Sequence, residues 1–147
     1  MPYVDTENPF DQGLKELYAG RTDLALDSFE KAVAEENTPL ACSYLAFCLA
    51  KEEGRYKEAV ALCMDARKED PKNSDIYLNL GKVHLLAGNR KQAIQVFRLG
   101  LRLQRNSRIV NELNVLGQRK SPPIPFLQRS HPLNKYLGKI LTKLWLR

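Results

Sequence analysis

The side chains of this 147-residue chain best suited to acid–base, nucleophilic or metal chemistry near neutral pH are two histidines, His84 and His131, and three cysteines, Cys42, Cys48 and Cys63. Their spacing organises little of that chemistry. The cysteines are odd in number and form no CxxC pair, which argues against a disulfide framework or a zinc site and fits a reducing compartment. All three fall within apolar helical patterns, where a reduced thiol behaves as a small buried hydrophobe. His84 lies on a helical face, as a packed histidine does, and His131 sits beside Pro132 with no partner in view. The chain carries no GxxxxGK[ST] phosphate loop, no GxGxxG turn and no HExxH pair. The expectation is therefore a protein that is not an enzyme, with no catalytic residue, no metal, no cofactor and no small-molecule substrate.

Charge points instead to partners. The net charge of +6 is the sum of an acidic half and a basic half. Residues 1–80 hold nine Lys/Arg and sixteen Asp/Glu, net −7, and residues 81–147 hold fourteen and one, net +13. Such a dipole suits an acidic partner or polyanion at one end, or attraction between opposite ends of neighbouring copies. Hydrophobic residues make up 44%, ordinary for a soluble globular chain of one domain. The opening MPYVDTENPF has no basic patch followed by an apolar run, and no stretch nears the roughly eighteen apolar residues of a membrane span. A soluble, unexported, cytoplasmic protein is expected.

The elements that would position any site are announced by a period. Gly20, Gly54 and Gly88 stand 34 apart (54 − 20 = 88 − 54), as do Ala25, Ala59 and Ala93. The same interval relates Leu26, Val60 and Ile94, then Phe29, Cys63 and Phe97, then Ala32, Ala66 and Gly100. Each unit reads as two helices around a glycine turn. In the third, Ile76, Tyr77, Leu80, Val83 and His84 recur at helical spacing before Gly88, and Ala93, Ile94, Phe97 and Leu101 do so after it. Glycine belongs just past the first helix, where positive φ is required, and alanine where the paired helices approach most closely. Helix starts are expected at Pro9 behind an Asn8 cap, at Pro39 and at Ser74. Second helices are expected over about 23–35, 56–69 and 90–104, and a seventh helix over Ser107 to Gln118.

Tyr77, Leu80, Gly81, Gly88, Ala93 and Phe97 resemble the tetratricopeptide-repeat (TPR) consensus. Gly54, Tyr56, Ala59, Ala66 and Pro71 repeat it in the second unit, and Gly13, Gly20, Ala25, Phe29 and Ala32 in the first. The second unit carries one extra residue in KEEGRY, and Gly100 and Arg105 replace the family's alanine and proline in the third. The resemblance covers roughly residues 8–105. It implies an all-α fold, a right-handed α-α superhelix (TPR solenoid) of three helix-turn-helix repeats plus a capping helix and a C-terminal extension. The repeats fall at about 8–37, 39–73 and 74–106, and the capping helix at about 107–118, within a TPR domain of residues 1–119. A proline-containing basic tail, 120–147, ends in an amphipathic helix with Leu133, Leu137, Ile140, Leu141 and Leu144 on one face.

By that resemblance, the first helices line a concave wall that binds another protein through a peptide or helix. Inward positions are Phe10, Asp11, Leu14, Tyr18, Tyr44, Phe47, Leu78, Asn79 and Lys82. Some of these would instead be core, or be covered by the tail. Family members that clamp the C-terminal carboxylate of heat-shock chaperones use Lys/Arg and Asn at positions occupied here by Glu7 and Asp11, Leu40 and Tyr44, and Asp75 and Asn79. Only Asn79 matches, and the acids repel such a ligand. A protein-binding adaptor is the first reading, with self-assembly into a homo-oligomer or a small secretion-type chaperone as alternatives. Nucleic acid, through a basic surface of Arg98, Arg102 and Arg105, and an anionic membrane rank below them because a solvated basic face is the commoner arrangement.

Overall fold

At Gly20, Gly54 and Gly88 the backbone takes φ of 77°, 65° and 82°, the left-handed region in which a Cβ is strained. Each therefore ends one helix and turns the chain into the next, and three helical hairpins follow. The computed structural model describes residues 7–117 together with Pro132, Tyr136 and Lys139. The expectations for the proline-containing segment, for His131 and for an amphipathic helix over 133–147 lie outside the described residues.

Seven helices occur among the described residues: α1 (Pro9–Tyr18), α2 (Thr22–Glu35), α3 (Pro39–Glu53), α4 (Tyr56–Glu69), α5 (Ser74–Leu86), α6 (Arg90–Leu103) and α7 (Ser107–Gly117). Each of the seven helices expected up to Gln118 is present, with ends within about one residue of those read from the sequence. The fold is the all-α right-handed superhelix expected, with α1–α2, α3–α4 and α5–α6 as its hairpins and α2, α3, α4 and α5 packed on their neighbours in turn. This compact unit runs to Leu113; the chain from Asn114 belongs to a second one.

Helix starts show a division of labour. The first helix of each hairpin has a side-chain cap: the carbonyl oxygen of Asn8 accepts from Phe10 N at 2.9 Å, the Thr38 hydroxyl from Ala41 N at 3.2 Å, and Asn73 from Asp75 N at 3.1 Å. Asn106 does the same for α7, accepting from Arg108 N at 3.1 Å. The second helices have no such cap. They follow directly from the left-handed glycine, so the turn itself sets their direction.

The core follows the columns of the period. Ala25, Ala59 and Ala93, with Phe29, Cys63 and Phe97, are completely inaccessible to solvent. A Cβ on Gly13 would lie 2.7 Å from the Phe29 ring, and one on Gly81 would strike the Phe97 ring. The middle hairpin solves the same crossing differently, with Cys63 in place of the ring and Ala46 in place of the glycine. Ring and hydrogen, or thiol and methyl, fill the same space. The departure at Gly100 is explained as well: a Cβ there would sit 2.8 Å from Ile109 of α7 and 2.9 Å from Tyr77 of α5. Gly100 makes room for the seventh helix.

Candidate functional site

The wall formed by the first helices is assembled from residues one helical turn apart. α3 presents Phe47 and Lys51, α5 presents Leu78 and Lys82, α1 ends on Tyr18, and α7 sends Arg108 back across them. Together with Leu17, Tyr44 and Asn79 these line a cavity of about 170 Å3. The Phe47 ring is its apolar centre and carries two ammonium groups, Lys82 Nζ at 5.2 Å and Lys51 Nζ at 5.9 Å from the ring centroid. Tyr18 is 66% exposed, a large ring left open at the rim.

Arg108, on α7, joins the three first helices. Its Nη1 donates to the hydroxyls of Tyr18 at 2.7 Å and Tyr44 at 3.1 Å, and its Nη2 donates to Asp75 Oδ1 at 2.7 Å. Asn106 also donates to that Asp75 oxygen at 2.7 Å, and to the Ser74 hydroxyl at 3.0 Å. Burial, partly offset by Arg108, pushes the Tyr44 phenol from its ordinary 10.0 up to about 12. Burial likewise lowers the Lys82 ammonium, against the pull of Glu112, whose carboxylate stands 4.0 Å away. A cation that has lost hydration without a close counter-ion remains available to an incoming anion.

Six of the nine inward residues read from the sequence meet at this cavity: Tyr18, Tyr44, Phe47, Leu78, Asn79 and Lys82. Leu78 and Asn79 are each only 1% exposed and form its floor, and the Asn79 amide is committed to the Ser43 hydroxyl at 3.0 Å. Phe10 and Leu14 pack on the core, Phe10 edge-on against Phe29 and Tyr44 with centroids 5.7 Å apart in both pairs. Phe10 lines instead a separate cavity of about 350 Å3 beside Glu35, Glu36 and Leu40. Asp11 is exposed on α1 and borders neither space.

Sequence reasoning left out Leu17, Lys51 and Arg108. Lys51 was within reach of it, because Leu14 and Phe47 are 33 apart and the same step takes Tyr18 to Lys51. Arg108 was not, since its reach depends on where the capping helix docks. The basic ridge is only partly a ridge: Arg98 and Arg102 are exposed on α6, whereas Arg105 lies beyond its end, beside Ser74 and Asp75.

His84 and the three cysteines lie away from this cavity. Cys48 and Cys63 are buried, and burial pushes both thiols from 9.0 to about 12. Such thiols are poor nucleophiles. Burial lowers His84, whose Nδ1 is enclosed without a hydrogen-bond partner. Among the described residues no group of three His, Cys, Asp or Glu side chains stands together as metal ligands, and no helix is long and apolar enough to cross a membrane.

Two family models, both described as tetratricopeptide repeat, match this sequence over residues 10–74 and 50–113. No curated protein matches it. Among solved structures, the second TPR domain of human RPAP3 in complex with the HSP70 peptide SGPTIEEVD is similar, with a TM-score of 0.57 and 23% identity over 76% of this chain and 94% of that one. The Arabidopsis OM64 TPR domain gives a TM-score of 0.58 and 19% identity over 76% and 93%. The Sgt2 TPR domain from Aspergillus fumigatus gives 0.56 and 15% over 91% and 95%.

Proposed function

This chain belongs to the tetratricopeptide-repeat family through residues 10–113, and on that premise we propose that it is an adaptor that binds another protein on the wall formed by α1, α3, α5 and α7. The observation that carries this reading is the cavity at Phe47, open at a rim where Tyr18 and Lys51 face solvent. An apolar centre, here the Phe47 ring, with a few convergent polar groups is the usual composition of a recognition site. An exposed aromatic beside such a centre is a typical interface anchor.

A chaperone-tail clamp is not part of this reading. Glu7 and Asp11 stand where a clamp needs positive or neutral donors. Asp75, at a third position, is an acid already held by Arg108 and Asn106. The partner is expected to engage through internal residues.

The test is affinity capture with the full chain and with Tyr18→Ala and Lys51→Gln variants. Tyr44 and Phe47 are unsuitable for it, being 3% and 8% exposed parts of the core. A partner held by wild type and lost from both variants, each with an unchanged unfolding midpoint, supports the reading. A partner retained by both moves the interface off this wall.

A further inference from the structure

The cavity around Phe47 is ringed by three cations that arrive on three different helices, Lys51 on α3, Lys82 on α5 and Arg108 on α7. Two carboxylates face them. Asp75 holds Arg108 at 2.7 Å, and Glu112 lies 4.0 Å from Lys82, the limit of an ion pair. Lys51 forms no ion pair among the described residues and lies over the Phe47 ring, which Lys82 shares. The charge at this mouth is thus unbalanced toward positive, with Lys51 supplied by the acidic half of the sequence and Lys82 and Arg108 by the basic half.

We propose that the groove is selective for an acidic segment of its partner, taking an apolar side chain over Phe47 and a neighbouring Asp or Glu carboxylate between Lys51, Lys82 and Arg108. The inference rests on the protein-binding reading above and specifies what that wall recognises. Arg108 is suited to the part because a guanidinium can offer a second edge to a carboxylate while it keeps its first. The site differs from a C-terminal clamp in its residues and its ligand, since an internal acid suffices.

Charge also decides between occupants. Residues 118–147 contain Arg119, Lys120, Arg129, Lys135, Lys139, Lys143 and Arg147 and neither Asp nor Glu, so the chain's own tail supplies no side-chain carboxylate to this mouth. A partner segment with acids beside leucine or an aromatic residue is complementary to both features at once.

A library of short randomised peptides, displayed with both ends fused so that no free carboxylate terminus is presented, tests this on the full chain. Selected sequences are expected to be enriched in Asp or Glu next to Leu, Phe or Trp. The best of them should bind roughly tenfold more weakly to Lys51→Gln and to Lys82→Gln, the loss typical of one charged hydrogen bond, with thermal midpoints unchanged. Lys51→Glu should remove the acid preference outright. Peptides that lack acid enrichment yet lose binding in Tyr18→Ala would overturn this inference and leave the wall as a binding surface. Selection of no peptide would remove both readings. A dimer of the chain alone that Lys51→Glu dissolves would hand the groove to a second copy and overturn the proposal.

Discussion

Cys48 and Cys63 keep their protons in the folded protein up to about pH 12, whereas in the unfolded chain they release them near 9.0. The folded state then binds more protons than the unfolded state between those values, and stability falls as pH rises through the window. Tyr44 adds to the slope above pH 10 for the same reason. Urea midpoints measured from pH 8 to pH 11 should be flat to about pH 9 and then decline, and the Cys48→Ala/Cys63→Ala double variant should decline less steeply. A second residue-scale prediction concerns the glycine–ring pairs. Gly81→Ala should cost about 1–3 kcal/mol by overpacking against Phe97. The Gly81→Ala/Phe97→Cys pair copies the middle hairpin, so denaturation of the four proteins should show the double variant destabilised by less than the sum of the singles. The individual columns were legible in the sequence because burial restricts residue size at each crossing. Which inward residues are floor and which are rim was not legible: Leu78 and Tyr18 share a helical face pattern, and only docking of the neighbouring helices separates 1% exposure from 66%.

At the scale of helices, spacing and caps carried nearly everything. Pro9, Pro39 and Ser74 begin helices because a capping oxygen stands just before each of them, and Gly20, Gly54 and Gly88 end the first member of every hairpin by their left-handed turn. Ala59 has no exposed surface on α4, which packs on α3. Ala59→Leu should therefore lower stability by about 1–3 kcal/mol, read as a fall in the thermal midpoint. An unchanged midpoint would place the helix crossing elsewhere. The cap made by Asn106 was not read from the sequence, although it repeats the pattern of Asn8 and Asn73. Asparagine before serine is also a common turn, and the docking of Ile109 behind Gly100 is what makes it a helix start.

At the scale of the molecule, one side chain links hairpins far apart in sequence. Arg108 and Tyr18 are 90 residues apart, and their bond spans the whole wall. Arg108→Ala should raise amide hydrogen exchange in α7 and at the C-terminal turn of α1 together, while the α3–α4 hairpin between them stays protected. Faster exchange confined to α7 would show that the arginine tethers the capping helix alone. The charge division seen in the sequence reappears in altered form: the acidic half contributes Lys51 and the basic half Lys82 and Arg108 to the same mouth. Net charge per half therefore says less about this mouth than the particular side chains the fold gathers there.

Gly100 has a consequence for how such an array could have grown. Lengthening by tandem duplication requires the back of one unit to accept the front of its copy, and here that back has been cut away to the depth of a methyl group to seat Ile109 and Tyr77. A fourth hairpin spliced in behind α6 would meet a hollow shaped for a different visitor. New units would fit more readily between the first and second hairpins, where Ala32 still presents the methyl group that the third has given up.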